Sequence, residues 1–321
     1  MVVVCVDVMI HKARSQQSLH KFYSRSNQKS DSLFFYNKMN LPSCSLRYPV
    51  IFVNHGGGPL PLLGQQPEIV KQLEDVRNKY LQIETKNQKP KAIVVFSAHW
   101  ESNPIKIMSS SKPTMYYDYG GFPPESYQYQ YAAPGSPDLA EKIKLLLSEE
   151  GLESELDDQR GFDHGVFVPL MIMFPEADIP VVAVSLHSSL SAGENIRIGK
   201  ALTSLRNEEI LFVGSGQSFH NMKAFFNPTS NTINSSKEFN EWLKATITIE
   251  GEDDDEENIN EKMLTKLTTW SDTSFGQFCH PREEHLLPLF VCAGLAGKDS
   301  KPQIIFDSDS MSHRISSYAF S

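Results

Sequence analysis

Histidine is the residue type through which this chain can do chemistry, and five of its ten histidines stand in settings that suit a pocket. His55 follows an apolar run and precedes three glycines in FVNHGGGPLPLLG (52–64). His99 ends a second run in VVFSAHWES, and His220 follows a third in LFVGSGQSFHNM. His164 lies in the glycine-flanked loop of RGFDHGVFVPL, and His285 begins a helical stretch in HPREEHLLPLF. In open α/β sheets ligands bind at the carboxyl ends of the strands, so histidines delivered to that edge can converge. Gly56, Gly57 and Gly58 leave space beside His55, and Ser97 and Ala98 do so before His99. A lone histidine is more often a satisfied structural residue than a ligand. His187 also ends an apolar run, in SLHSSL, so strand-end placement is not selective by itself. His11, His20 and His313 lack such context and read as surface residues, while His280 reads either way. Residue pattern thus leaves two readings open, a shared metal site and a set of separate structural histidines.

For a shared site, imidazole suits zinc, iron, copper and nickel. Cys5, Cys44, Cys279 and Cys292 form no CxxC pair, which argues against a structural zinc ribbon. Three protein ligands with open positions favour catalysis over structure. Two histidines with a third ligand on one face are the arrangement of non-haem Fe(II) oxygenases. A zinc hydrolase is the alternative on the same residues, although the chain has no HExxH motif.

The elements that must position these side chains are legible from Tyr48 onward. Short β-branched runs occur at 49–54, 91–98, 179–186, 209–215 and 303–306. They are continuous rather than alternating, as in strands buried on both faces. Helices are expected at 67–83, with Pro67 in the first turn, and at 136–150, with Ser136 as cap and Pro137 at the first position. Two more are expected at 194–205 and 282–296. Strands alternating with helices predict an α/β fold, a mostly parallel or mixed sheet flanked by helices, in a single catalytic domain over 46–321. Residues 1–45 are polar, basic and without apolar periodicity, and read as a flexible extension, with a mitochondrial transit peptide as the sharper alternative. The acidic run EGEDDDEEN (250–258) reads as a solvated loop.

The net charge of -9 argues against nucleic acid as a partner. No apolar run approaches the roughly 20 residues of a membrane span. Four scattered cysteines in 321 residues read as reduced thiols of a cytoplasmic protein.

Several separated motifs occur in a familiar order: HGGGPLPLLG, VFSAHWES, YYDYGGFPPESYQYQYAAPGSP, GFDHGVFVPLMIMFPEADIPVVAVSL, GSGQSFHN and REEHLLPLF. Over about residues 48 to 310 the chain resembles the class III (LigB-type) extradiol ring-cleavage dioxygenases, and most of all the 4,5-DOPA dioxygenase group. The resemblance implies that both atoms of O2 enter a catechol-type substrate such as DOPA, giving a muconic semialdehyde. It implies one metal held by His55, His99 and His285, Fe(II) for activity, with Zn(II) also suited to an all-histidine set. His285 stands where the protocatechuate-cleaving relatives carry a glutamate. His220 matches the acid–base residue, which is sometimes counted as a fourth ligand, and His164 matches a pocket histidine that touches substrate. Tyr119, Gly120 and Phe122, with Tyr116 and Tyr117, are expected to wall the aromatic ring or else to pack their loop on the sheet. The same scaffold also occurs in a non-catalytic signalling family, since fold does not fix function.

Overall fold

Four of the continuous apolar runs form the middle of one eight-stranded mixed sheet, while the fifth, 303–306, lies in the half-exposed edge strand rather than between two covered faces. The computed structural model describes residues 47–83, 88–249, 259–298 and 300–321, which belong to one compact unit. In chain order the elements are β1 (Val50–Asn54), α1 (Pro67–Asp75), β2 (Ala92–Ser102), β3 (Ile105–Met108), α2 (Pro137–Glu149), β4 (Ser154–Asp157), α3 (His164–Met173) and β5 (Val181–His187). There follow α4 (Ala192–Ala201), β6 (Ile210–Gly216), α5 (Met222–Phe226), α6 (Ser230–Thr248), α7 (Ile259–Leu267), α8 (Gly276–Cys279), α9 (Leu287–Ala296), β7 (Pro302–Ser310) and β8 (His313–Phe320). The strand order is β4-β3-β5-β2-β6-β1-β8-β7. The inner strands β5, β2, β6 and β1 are parallel, and antiparallel β8 and β7 close one edge.

Side-chain alternation in β6 defines the layers. A Cβ on Gly214 would meet Pro288 and Cys292 of α9, whereas the next residue, Ser215, bonds the Gly165 carbonyl of α3. Successive strand residues point to opposite faces, so α9 and α3 cover opposite sides of the sheet. Helix α4 lies against α9, and α1 lies against α3. Every residue of β1 and β6 is buried, as their unbroken apolar pattern requires.

Several expectations need correction. The helix expected at 67–83 stops at Asp75 and continues as a wider turn over Val76–Leu81. The helix expected from 282 starts at Leu287, with Pro288 in its first turn, so His285 precedes it in a turn. The second strand runs past residue 98 to Ser102. His313 is not a surface residue: it is fully buried, stacked on Phe219 at 4.4 Å and bonded to the Met311 carbonyl at 2.9 Å. The extension over 1–45 and the acidic run at 250–258 lie outside the described residues. Among the described residues no helix is long and apolar enough to cross a membrane.

Candidate active site

Three parallel strand ends deliver the first histidines. β1 ends at Asn54, and the His55 amide donates to the Gly216 carbonyl at 3.1 Å, so the chain leaves the sheet beside the end of β6. Asn54 anchors this exit: its Nδ2 donates to Ser317 Oγ at 2.8 Å and to the Ser316 carbonyl at 2.9 Å, and its Oδ1 accepts from the Ser218 amide at 2.9 Å. At Gly56 the φ is +85°, and an added Cβ would lie 2.5 Å from Gln66 Oε1 and 2.6 Å from Pro61. The glycine is therefore required by the turn and by packing. His99 lies in a register shift of β2 against β5, between Phe96 and Glu101. Such an irregularity turns a side chain out of the regular pleat. At the end of β6, a Cβ on Gly216 would strike the His285 carbonyl, which accepts from the Gln217 amide at 2.9 Å. This close approach carries His285 to the same edge.

All five candidates meet there. By donor atoms they fall into two groups, His55 with His99 and His164, and His220 with Glu284 and His285, each within 4.8 Å. Ring spacing picks out a trio across these groups: His55, His99 and His285 have centroids 5.0, 5.3 and 4.8 Å apart. Imidazoles bound through nitrogen at about 2.0–2.1 Å to one ion, at angles near 90–110°, stand roughly 4.5–5.2 Å apart. His220 instead stacks on His285 at 3.5 Å with 16° between planes, and His164 lies 3.9 Å from His99. Parallel stacked rings aim their nitrogens side by side rather than at one point.

Hydrogen-bond partners assign the tautomers of His55, His164 and His285. Ser215 donates its hydroxyl to the Gly165 carbonyl, so at 3.0 Å it accepts from His55 Nδ1. His285 Nδ1 donates to Glu284 Oε1 at 3.0 Å, and His99 Nδ1 faces Asp118 Oδ2 at 3.6 Å. His164 Nδ1 donates to Asp118 Oδ1 at 2.8 Å. Protons on the outer nitrogens of His55 and His285 leave their inner nitrogens as lone pairs, and His99 Nε2 lies 3.2 Å from His55 Nε2, a hydrogen bond when His99 carries its proton there. With the His99 proton moved to Nδ1, on the side of Asp118, a cation can take its place among the inner nitrogens of His55, His99 and His285. These residues fit a metal ion.

Electrostatics point the same way. Burial, then the neighbouring imidazoles, push His55 and His99 well below the ordinary histidine range. Burial and then His220 bring His285 down to about 3. Neutral imidazole is the ligand form. Burial works against charge on Glu284, but hydrogen bonds from His220 and His285 outweigh it and hold the carboxyl well below its usual range. Asp163, fully buried, has its carboxyl pushed up by burial and then by Asp118.

A cavity of about 280 Å³ opens onto His99, His164, His220 and His285. Gly56, Gly57 and Gly58 line it, together with Tyr119 and Phe122. The Tyr119 hydroxyl is bonded to the Ser126 carbonyl at 2.6 Å, so its ring face is what it offers the cavity. Gly120 is exposed and outside this lining. Tyr117 bonds the Tyr129 carbonyl at 2.6 Å, and Tyr116 lies under Arg160 at 4.5 Å, so both fasten the loop. A larger cavity of about 620 Å³ touches only His220 and Glu284 of this group. Of the remaining histidines, His187 bonds Ser189 Oγ at 2.7 Å and buried His280 bonds the Ser218 carbonyl at 3.0 Å.

The partners Asp118, Ser215 and Asp163 escape a search for histidines. Asp118 lies 46 residues before His164 in sequence. Asp163 is the more visible, as the residue before a helix start: it caps α3 through the Val166 amide, accepts from Ser97 Oγ at 2.7 Å, and pairs with Arg160 at 2.8 Å.

Comparison with known proteins gives a consistent set of matches. Residues 51–320 match the family model described as the catalytic LigB subunit of aromatic ring-opening dioxygenase. The chain is 37% identical to the 4,5-DOPA dioxygenase extradiol of Beta vulgaris, over 80% of this chain and 90% of that one. It is 36% identical to the dioxygenase tasH of Hapsidospora irregularis, over 79% of each. It is 33% identical to the 4,5-DOPA dioxygenase extradiol of Escherichia coli K12, over 78% of this chain and 86% of that one. Among solved structures, the uncharacterized protein JW3007 of Escherichia coli K12 superposes with a TM-score of 0.66 at 28% identity, over 86% of this chain and all of that one.

Proposed function

Because the chain belongs to the LigB family of aromatic ring-opening dioxygenases, enzymes that incorporate both atoms of O2, we propose that it cleaves a catechol beside its hydroxyl pair, with Fe(II) held by His55, His99 and His285. The single observation that carries the metal assignment is the convergence of His55 Nε2 and His99 Nε2, 3.2 Å apart, with the spacing of the His285 ring. When bound, Fe(II) supplies the one-electron chemistry that O2 needs and a template for the catechol oxygens. The balance needs no further reductant: one ring C–C bond breaks, and the product holds both oxygen atoms as a carboxylate and an aldehyde.

The protein's own groups provide position and proton transfer. His220 lines the cavity beside His285 and takes the proton of a catechol hydroxyl. Its stacking on His285 supports an acid–base role over that of a fourth ligand. Glu284, 3.4 Å from His220 Nδ1 and 3.0 Å from His285 Nδ1, orients both rings and balances the charge that His220 gains. His164, held by Asp118, offers the lone pair of its other nitrogen to the second catechol hydroxyl, and His220 returns its proton as the ring opens. Tyr119 and Phe122, 5.4 Å apart, wall the ring.

The test is oxygen uptake by anaerobically purified protein, loaded with Fe(II) or with Zn(II) and offered a panel of catechols. Uptake matched by a yellow semialdehyde with Fe(II) alone is the expected result. No uptake with any catechol, despite one bound iron, would overturn the reading.

A further inference from the structure

The walls of the cavity carry information about the rest of the substrate. Beyond the histidines, its lining is Leu60, Phe225, Phe226, Met222, Met311 and Ile315, with the aromatic pair Tyr119 and Phe122. Its other polar side chains are Gln66, Gln217 and Ser310, and among the described residues no Lys, Arg, Asp or Glu lines it. Gln66 already accepts from the Gly57 amide at 2.8 Å, and Ser310 already donates to Glu68 at 2.6 Å. Of the nearby cations, two arginines are engaged elsewhere, and Lys223 stands in the wall of the larger cavity. Arg160 pairs with Asp163 and stacks on Trp100 and Tyr116. Arg282 holds Glu101 through two bonds of 2.6 Å and belongs to the wall of the larger cavity.

The mouth is apolar as well. Among the described residues five large hydrophobic side chains are exposed, and three of them, Met222 (49%), Phe226 (71%) and Met311 (40%), stand on this one cavity. Scattered exposed hydrophobics need no explanation, but a cluster at a pocket mouth marks a binding surface. The placement of Met311 adds a second observation. The β7–β8 hairpin turns on Met311 and Ser312, both at positive φ (47° and 71°), where the favoured residues are Asn and Gly. A methionine there bears backbone strain and, at 40% exposure, recovers little by burial. Its gain lies in what it can touch at the mouth. At about 280 Å³ the cavity sits near the lower bound of small-molecule sites, so a ring fills it and a substituent reaches the rim.

Resting on the catechol reading above, we propose that the preferred substrate is a catechol with an uncharged, apolar substituent, gripped at the rim by Met222, Phe226 and Met311. An amino-acid side chain would bring a carboxylate and an ammonium into a lining without a partner for either, which is costly. Each methylene buried on the rim should tighten binding by about fourfold, the equivalent of roughly 0.8 kcal/mol.

Anaerobic calorimetric titration of the Zn(II)-loaded protein separates binding from turnover. The ligands are butylcatechol, methylcatechol and DOPA. Butylcatechol is expected to bind about tenfold or more tighter than methylcatechol, with DOPA weaker than both. In the double variant Phe226→Ser with Met311→Ser, the butyl-to-methyl ratio should fall to within about threefold. A butyl-to-methyl ratio near one in the natural chain, or tighter binding of DOPA, overturns the inference while leaving ring cleavage intact. Failure of every catechol to bind overturns it together with the catechol reading.

Discussion

At the scale of single side chains, the site depends on which nitrogen of each imidazole carries the proton. Ser215 and Glu284 hold protons on the outer nitrogens of His55 and His285, which leaves their inner nitrogens free to ligate, and Asp118 does the same for His164. Replacing Asp118 with Asn removes the charge that faces both His164 and His99. Metal affinity, measured by competition with a chelator, should fall by roughly 10–100-fold, the usual effect of losing such an outer partner. His220→Ala separates ligation from acid–base work. Turnover should drop by about 10²–10⁴-fold, while metal content measured by atomic emission stays near that of the natural chain. A matching loss of metal would make His220 a ligand. Legibility differed among these residues for a physical reason. His55, His99, His164 and His220 were visible because each follows an apolar run or lies in a loop with small residues nearby, whereas His285, between Glu284 and Leu286, stood out only through the family motif. Their partners were hidden because a hydrogen bond from His55 to Ser215 spans 160 residues of sequence.

At the scale of elements, the strands that form the sheet centre were readable because they are buried on both faces and carry unbroken apolar runs. Strand β8 was not, since HRISSYAF carries polar residues into the interior. Ser316 and Ser317 are buried there to bond Ser218, Asn54 and Gln72, and His313 is buried to stack on Phe219. These polar positions brace the turn that presents His55. The register shift in β2 has no local signature either, because it arises from what β5 and β6 pair with on each side. The His55 turn can be tested through Gly56. An alanine there must adopt φ near +85° and displace Gln66 and Pro61. The variant should lose roughly 1–3 kcal/mol of stability, read from a denaturant midpoint. It should also bind metal more weakly, because Gln66 fixes the Gly57 amide next to the ligand.

At the scale of the whole molecule, five imidazoles and three carboxylates, Asp118, Asp163 and Glu284, gathered at one sheet edge tie stability to pH. The folded-state values of His55, His99 and His285 lie below their ordinary value, His285 at about 3. A histidine depressed in this way binds its proton more readily in the unfolded chain, so stability rises with pH across the interval between the two values. Its contribution is complete above the unfolded value near 6.5 and is lost as pH falls towards 3. Glu284 and Asp118, also depressed, act in the same sense below the ordinary carboxylate range. Asp163 opposes them, because its raised carboxyl favours the folded state as it takes up a proton. Three histidines, Glu284 and Asp118 against Asp163 leave a net loss on acidification. The metal-free protein should therefore show a melting temperature that declines steadily from about pH 6.5 downwards. Adding Zn(II) at neutral pH should raise the melting temperature, since an ion that binds only the folded state stabilises it by mass action. That rise should shrink as pH falls, because protons compete for the same lone pairs. A metal-induced rise that stayed constant from pH 7 to pH 5 would mean that the ion is held by groups other than these histidines.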